Sequence, residues 1–301
     1  MNKFEIRRVR PEDKEIITDI CSRIWEGDDY IPSIFDIWVN DKKGEFTALL
    51  YEGKIVGMGK LTYLTDTDVW LEGLRADPQA KLHGVGKAIN AYYLKKLKRR
   101  KNIRSIRFAT YFGNVQSRKL SENAGFRVIH TMSNKYYEIK KREQNRLLRK
   151  IVKDKIDRAE VSFTELCDYI EKSKYLKLSK NFLCLSWTAY PYSREMIREF
   201  FYDTGQHFVI KRAGKIVGAV LYDTNISNRS YTTISLLETK DLEIAKELFE
   251  YVKLESARLG HEQIETKFPT TPFFMEIAQK LEMKSWEQED DFLIYELQQG
   301  D

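Results

Sequence analysis

The sequence predicts an α/β fold of the mixed α+β kind, present twice in one chain. Strand-like and helix-like stretches alternate through the first half, and the pentapeptide GKIVG occurs at 53–57 and again at 214–218. Each copy lies at the turn of a predicted hairpin. A strand, a long amphipathic helix, a strand, a short helix and a terminal strand follow in the same order. We therefore expect two domains, each with a central, mostly antiparallel sheet flanked by helices.

Hydrophobic periodicity and turn residues predict each element of the first half. The strands are predicted at 3–9, 46–53, 54–64, 69–76, 105–112, 126–132 and 135–140. Helices are predicted at 11–24, after Pro32, at 84–100 and at 114–125. Gly125 is placed to end the last helix in the left-handed conformation.

The expected domains are 1–142 and 161–301, joined by a basic helix over 143–160. Between 140 and 158 the chain has nine Lys or Arg residues. An apolar stripe accompanies them, made of Leu147, Leu148, Ile151, Val152 and Ile156. Such a helix can bind a membrane surface or RNA. We favour a connecting helix whose stripe packs between the domains, because such stripes usually face a core.

Composition excludes several classes of protein. The hydrophobic fraction of 42% is too high for a disordered chain, and a net charge of +6 is low for a dedicated nucleic-acid binder. Three cysteines without a CxxC pair indicate a reducing, cytoplasmic location. No run of 18 apolar residues predicts a membrane span. The four histidines have no metal-ligand spacing, so we expect no metal.

A phosphate site is predicted in EGLRADPQAKLHGVGKAI, residues 72–89. A strand ends at Asp77-Pro78, and a helix begins after Gly84. The first turn of a helix has free backbone N–H groups that bind anions. Glycines at 84 and 86 let a pyrophosphate approach closely. Three flanking basic residues add positive potential: Lys81, His83 and Lys87.

Two segments resemble the signatures of the GNAT superfamily of N-acetyltransferases. LRADPQAKLHGVGKAI is similar to the first, and NVQSRKLSENAGF, residues 114–126, is similar to the second. The resemblance implies acetyl-CoA as co-substrate. The residues implied to bind it are Leu74, Arg75, Ala76, Lys81, Leu82, His83, Gly84, Val85, Gly86, Lys87, Asn114 and Ser117. The chain departs from the family pattern in having Lys81 in place of Arg or Gln, and Ser121 where many members have the tyrosine that protonates the leaving thiolate.

The chain also resembles the two-domain histidine N-acetyltransferase-like branch, in DDYIP, in Trp38, in EGLR at 72–75 and in the tandem layout. The acceptor implied is a primary amine, such as the α-amine of a free amino acid, attacking directly in a ternary complex. The alternative is a non-catalytic acyl-CoA-binding regulatory protein, an interpretation that Ser121 keeps open. Neither a membrane nor a nucleic acid is an expected partner, and the oligomeric state is left open.

Glu72 is the predicted general base, since it lies two residues before Leu74 on the same face of the strand. A solvated Glu72, or one paired with Arg75, is the structural alternative. For the general acid the candidates are Ser121 and Tyr111, and Tyr111 can equally be a packed strand aromatic. Strand amides near Leu74 to Ala76 are expected to stabilise the oxyanion.

WEGDDYIPSIFDIW is the segment expected to form the acceptor pocket. The residues predicted to bind the acceptor are Trp25, Asp29, Tyr30 and Trp38. Phe35 is a further wall residue, and Asp28 and Asp36 are further anionic candidates. Alternatively, the aromatic residues pack the two short helices and the acids face water.

The second copy has no glycine where its long helix begins, and Asp241 is predicted to cap that helix instead. We therefore expect no CoA at that position. The basic run at 95–107 can hold the 3′-phosphate of CoA or contact RNA, but a solvated helix end explains it as well.

Overall fold

The computed structural model describes residues 4–153, 159–224 and 231–298. They cluster into two compact units. The first comprises Met1–Ala109, Asn114–Val128 and Tyr295–Asp301, and the second comprises Thr110–Gly113 and Ile129–Ile294. These divisions differ from the predicted domain limits at 142 and 161, which stay a prediction.

The elements follow the predicted alternation. In chain order the strands are β1 Glu5–Arg8, β2 Glu45–Tyr51, β3 Lys54–Tyr63, β4 Asp68–Ala76, β5 Ser105–Tyr111, β6 Arg127–Glu138, β7 Phe182–Leu185, β8 Thr188–Pro191, β9 His207–Arg212, β10 Lys215–Asp223, β11 Tyr231–Thr239, β12 Gln263–Phe268, β13 Lys284–Ser285 and β14 Phe292–Gln298. The helices are α1 Lys14–Cys21, α2 Ile31–Asn40, α3 Val85–Leu97, α4 Val115–Asn123, α5 Lys141–Lys153, α6 Phe163–Glu171, α7 Lys174–Leu178, α8 Arg194–Ile197, α9 Leu242–Arg258 and α10 Pro272–Lys280.

The sheet of the first unit has the order β1-β2-β3-β4-β5, and the end of β14 continues it beyond β5. The pairs from β1 to β4 are antiparallel, and β4–β5 is parallel. Apolar residues of α1 and α2 pack with those of β2 and β3 in one buried cluster, which includes Ile17, Phe35 and Phe46. The mixed, mostly antiparallel fold expected from the sequence is confirmed.

The last strand completes the first unit. The ring of Tyr295 stacks on Phe108 at 4.9 Å, and its hydroxyl donates to Glu122 Oε1 at 2.8 Å. Arg107 forms an ion pair with Glu296 at 2.5 Å. From sequence this strand is expected in the second domain, because nothing local marks a strand that joins a distant sheet.

The second unit has its own mixed sheet, in the order β6-β12-β11-β10-β9, with the first residues of β14 beside β6. The β11–β12 pair is parallel, and the pairs β6–β12, β10–β11 and β9–β10 are antiparallel. Gly218, the last residue of the second GKIVG, lies under α9. A Cβ there would be 2.5 Å from Ile244 Cγ2. Gly57, the last residue of the first GKIVG, lies under Val85 of α3 in the same way. In both copies this glycine lets the long helix pack against the hairpin, which explains why the pentapeptide recurs.

One predicted break is wrong. The sequence analysis expected two strands at 126–132 and 135–140, but β6 is a single strand from Arg127 to Glu138. The polar pair Ser133 and Asn134 suggested a turn, yet both residues are buried at 0% and 1% exposure. The backbone N–H of Asn134 donates to Asp291 at 2.8 Å, which satisfies it inside the sheet.

The predicted helix at 11–24 is also shorter, with a 3-10 turn at Pro11–Asp13 before α1. In α5, Leu147 is buried and Leu148 is 39% exposed. The side chains of Ile151 and Val152, and residue Ile156, lie outside what the structure describes. Among the helices of the described ranges, none is long and apolar enough to cross a membrane.

Candidate active site

The start of α3 presents backbone amides for which the described residues provide no hydrogen-bond partner. Gly84 is its N-cap residue, at φ +88°. The first amide bonded inside the helix is that of Ala88, which donates to the Gly84 carbonyl at 2.9 Å. Within the described part of the chain, no side chain caps this terminus. The N–H groups of the first turn are therefore available to an anion.

Glycine at position 84 leaves room for an anion to reach the first-turn amides of α3. A Cβ built there would meet no atom within 4 Å, so the space outside the first turn is empty. The left-handed backbone is one that glycine adopts without steric cost. Lys81, His83 and Lys87 are exposed around the turn and add positive charge.

Gly86 also serves packing, and its predicted part in the phosphate site stays a prediction. A Cβ there would lie 3.2 Å from Leu120 Cδ2 and 3.6 Å from Leu74 Cδ2. Glycine at 86 therefore lets α3 pack closely against α4 and β4. Gly59, which the sequence analysis missed, does the same against Ile89, where a Cβ would be 3.0 Å from Cγ2.

A β-bulge interrupts β4 beside this turn. Met58 pairs with Arg75 and Lys60 pairs with Glu72, so the one residue between them on β3 faces two on β4. The bulge residue Gly73 has φ +61°. An extra residue leaves a backbone amide without a ladder partner. Such an amide is a donor that can bind a developing oxyanion.

Gly73 also brings the strand close to α2. A Cβ at this position would lie 2.5 Å from Cη2 of Trp38. Trp38 is buried at 6% exposure, and its ring lies edge-on to Phe46 at 5.1 Å and to Tyr30 at 5.9 Å. The indole therefore supports the bulge from one side.

The ladder between β4 and β5 ends early. Its last pair is Trp70 with Arg107, yet β4 continues to Ala76. Past Trp70, the described residues include no β5 partner for β4, and this edge can pair with an extended ligand. In this stretch the Leu74 carbonyl accepts from Nη1 of Arg75 at 3.1 Å. The unpaired edge runs toward the loop that leads to α3.

Glu72 lies on this part of β4. It accepts a hydrogen bond from the Thr62 hydroxyl at 2.6 Å. Burial raises the pKa of Glu72, and the Thr62 hydrogen bond and the charge of Lys60 only partly oppose that rise. A carboxylate with a raised pKa is a better proton acceptor near neutral pH. The structure excludes the alternative of a pair with Arg75, since that side chain has another partner.

Arg75 forms a two-pronged ion pair with Asp29. Its Nε lies 2.7 Å from Oδ2, and Nη2 lies 3.3 Å from Oδ1. The Asp29 side chain is 0% exposed, and Oδ1 also accepts from the Ile31 amide at 3.2 Å. Asp29 therefore fixes the start of α2 to β4, and its carboxylate is already neutralised by a cation.

Of the remaining predicted acceptor residues, Tyr30 and Trp38 pack together and Trp25 is exposed. Tyr30 is half-buried, with the Arg75 guanidinium 5.6 Å from its ring centroid. Trp25 is 56% exposed and has φ +51°. The expected cluster of four is thus reduced in this conformation to a packed group of Asp29, Tyr30 and Trp38.

The second predicted signature forms the start of α4. Asn114 is the N-cap residue, and its side-chain oxygen accepts from the Ser117 amide at 3.2 Å. Ser121 is buried at 7% exposure. Gly125 has φ +95°, which confirms the predicted left-handed end of this helix.

Tyr111 belongs to the second compact unit. Burial and the nearby Glu287 carboxylate raise the pKa of Tyr111 to about 12. Its ring packs against Trp286, with centroids 6.1 Å apart. These contacts are those of a packed strand aromatic, the alternative given above.

The second copy differs at the corresponding helix start. Asp241 caps α9, accepting from the amides of Glu243 at 2.8 Å and Ile244 at 3.3 Å. This confirms the predicted cap. The amides that α3 leaves free are occupied here by the protein's own carboxylate. Within the described ranges, no group of three His, Cys, Asp or Glu side chains could hold a metal ion.

Comparison with known proteins gives the family of the first unit. Residues 14–126 match the model of the Acetyltransferase (GNAT) family. This region is a GNAT acetyltransferase domain. It includes the bulge of β4, Glu72 and the first turn of α3. No curated protein matches the chain in sequence.

Solved structures extend the likeness to the whole chain. A GCN5-related N-acetyltransferase from Sphaerobacter thermophilus matches with a TM-score of 0.70 at 12% identity, covering 98% of this chain and 95% of that one. A tandem GNAT protein from the clavulanic acid biosynthesis pathway matches with a TM-score of 0.64 at 10% identity, covering 99% of each chain. At these identities the likeness shows the shared tandem GNAT fold and nothing about substrates.

The pair of Asp29 with Arg75 gives a testable consequence for stability. Asp29→Asn leaves the Arg75 guanidinium facing a neutral amide, so we expect a loss of about 3 kcal/mol in the free energy of unfolding of the first unit. Asp28→Asn, at the exposed neighbouring residue, should change it by less than about 0.5 kcal/mol. Urea unfolding of the two variants measures the difference. Equal free energies of unfolding for the two variants would show that the Asp29–Arg75 pair does not stabilise the first unit.

Proposed function

We propose that the chain transfers the acetyl group of acetyl-CoA to a primary amine of a small molecule, such as a free amino acid. The observation that carries this proposal is the uncapped first turn of α3, which opens beside the unpaired edge of β4. A GNAT domain over 14–126 supports the same function.

In this proposal the pyrophosphate of CoA accepts hydrogen bonds from the amides of Val85, Gly86 and Lys87. Lys81 and His83 supply flanking charge. The pantetheine arm then pairs with the free edge of β4 that begins after Trp70. These interactions use backbone groups of the α3 terminus and of the β4 edge, apart from the Leu74 carbonyl, which accepts from Arg75.

Glu72 is the general base of the proposed reaction. It takes the proton from the acceptor ammonium, and the neutral amine then attacks the thioester carbonyl carbon. The bulge amide at Gly73–Leu74 donates to the oxyanion that forms. The cationic nitrogen of the tetrahedral intermediate loses its extra proton to solvent, and collapse then breaks the carbon–sulfur bond, leaving the amide and the thiolate of CoA.

Ser121 in place of the family's tyrosine is compatible with this route. A thiol has a pKa of about 8.5, so a thiolate leaves more readily than an alkoxide and needs less help from an acid. A serine hydroxyl is too weak an acid to protonate it. We therefore assign proton donation to neither Ser121 nor Tyr111, and infer that solvent protonates the thiolate.

The acceptor is proposed to bind beside Tyr30 and Trp38. Because Asp29 is already paired with Arg75, it is not proposed to hold the substrate ammonium. The resemblance to the histidine N-acetyltransferase-like branch makes free amino acids the first acceptors to assay. The second unit is proposed not to bind CoA at α9, because Asp241 occupies that terminus.

The rival function is a non-catalytic acyl-CoA-binding regulatory protein, which Ser121 favours. It would retain the α3 site and use it without turnover. Glu72 distinguishes the two functions, since a binding protein has no need of a base beside the bulge.

Gly84→Glu tests the CoA site. A carboxylate at the open position beside the first turn should repel the pyrophosphate and lower CoA affinity at least 100-fold, about 2.7 kcal/mol. Gly84→Ala is the matched control, because it shares the backbone strain at φ +88° and adds no charge. Isothermal titration with CoA compares the two. Equal affinities in folded variants would reject the placement of the site.

Glu72→Gln tests the base. The amide cannot accept the proton, so we expect kcat/KM to fall by about 10²- to 10⁴-fold with CoA affinity unchanged. For the wild type, kcat/KM should rise with pH up to the raised pKa of Glu72, since only the ionised form is a base. Thiol release from acetyl-CoA over a panel of amino acids and polyamines measures kcat/KM of the variant and its pH dependence in the wild type. Full activity in the variant would exclude Glu72, and no turnover with any acceptor in the wild type would favour the regulator.

A further inference from the structure

Lys60 is a buried cation inside the GNAT domain. Its side chain on β3 is only 1% exposed. The ammonium group donates to Asp41 Oδ2 at 2.5 Å, to the Leu61 carbonyl at 2.9 Å and to the Thr62 hydroxyl at 3.1 Å. All three of its hydrogens are used. Burying a charge costs free energy of folding even when the charge is paired, so we expect a buried lysine to have a specific role.

Thr62 connects Lys60 to Glu72. A hydroxyl has a single proton. Because Lys60 donates to the Thr62 oxygen, the hydroxyl proton is left for Glu72, whose Oε1 lies 2.6 Å away. The direction of this hydrogen bond favours the ionised carboxylate, which is the proton-accepting form.

Asp41 lies at the opposite end from Glu72 in the hydrogen-bonded series Glu72, Thr62, Lys60 and Asp41. Its Oδ1 accepts from the amides of Lys43 at 2.9 Å and Gly44 at 3.0 Å, which fixes the loop after α2. The Asp41 side chain is 26% exposed. A Cβ at Gly44 would collide with Asp41 and Lys60, so the loop closes directly over the ion pair.

The second copy forms the same hairpin with apolar residues at the positions of Lys60 and Glu72. The GKIVG repeat places Leu221 at the position of Lys60. Lys60 faces Glu72 across the hairpin, whereas Leu221 faces Leu236. Both leucines are 0% exposed. Where the free helix terminus is absent, an apolar pair replaces the cation and the carboxylate.

We propose that Lys60 and Asp41 are positioning residues that act through Thr62 to keep the half-buried Glu72 ready to accept a proton. The catalytic meaning of this inference rests on the proposed function, because it gives Glu72 its role as the base. Lys60 acts by its positive charge and by orienting Thr62. Asp41 holds Lys60 in place and offsets part of its charge.

The charges around Glu72 predict opposite effects for the two residues. Burial raises the pKa of Glu72, the Thr62 hydrogen bond and Lys60 lower it, and Asp41 raises it. From α3, Tyr93 is the other titratable group coupled to Glu72, and it is uncharged because burial raises the pKa of its hydroxyl. Removing Lys60 should therefore raise the titration midpoint of Glu72, and removing the charge of Asp41 should lower it.

The test is a carbon-13 NMR titration of protein labelled at the glutamate carboxyl carbons, with the Glu72 signal assigned by its loss in Glu72→Gln. Lys60→Leu copies the second unit, and we expect it to raise the midpoint by about one pH unit. Asp41→Asn, which keeps an oxygen for Lys60, should lower it. Lys43→Leu, a matched loss of charge from the same loop, should leave it unchanged.

Lys60→Arg keeps the charge and provides a folded comparison if Lys60→Leu is unstable, and its midpoint should stay near that of the wild type. Midpoints that shift in the same direction in Lys60→Leu and Asp41→Asn, or that do not shift, would overturn the proposal.

This titration of Glu72 needs no acceptor amine. If the midpoints shift as expected while no amine is acetylated, the coupling stands and the proposed function fails. If amines are acetylated and the acid limb of kcat/KM does not follow the shifts, the positioning role fails alone.

Discussion

The site depends on a helix terminus that no described side chain caps. Within the ranges that the structure describes, the first-turn amides of α3 have no capping side chain, because the N-cap residue is Gly84. A buried donor without a partner is costly, so such a turn is stable only where water or a ligand satisfies it. The close packing of α3 on the hairpin, which Gly57 and Gly59 permit, fixes where that turn lies. The bulge and free edge of β4 are arranged around the same point.

The two copies share a scaffold and differ at the features proposed to carry the chemistry. Each retains a glycine under its long helix, Gly57 in one and Gly218 in the other. In the second copy the free amides are capped by Asp241. The bulge also lies at a different position. In the first copy it falls between Met58 and Lys60 of β3, whereas in the second it falls between Leu221 and Tyr222 of β10, after the pair of Leu221 with Leu236. The features that the copies share serve packing, and those that differ are the ones proposed to bind acetyl-CoA and accept a proton.

Local sequence patterns predicted the parts of the fold that local physics determines. The repeat, the start of α3, the left-handed end at Gly125 and the cap at Asp241 all follow from residues within one turn of the feature. The patterns failed where a distant partner decides the outcome. Asn134 continues a strand because Asp291 accepts its amide proton, and Tyr295 joins the first unit by stacking on Phe108. Asp29 and Arg75 are 46 positions apart in sequence, so no local pattern could pair them. Lys60 was missed because a lysine in an apolar strand gives no sign of being buried.

The most direct measurement is a crystal structure of the chain with bound CoA. We expect pyrophosphate oxygens within about 2.7–3.2 Å of the backbone nitrogens of Val85, Gly86 and Lys87. The pantetheine arm should lie along the edge of β4 past Trp70. CoA bound elsewhere on the chain, with the first turn of α3 occupied only by water, would contradict this expectation.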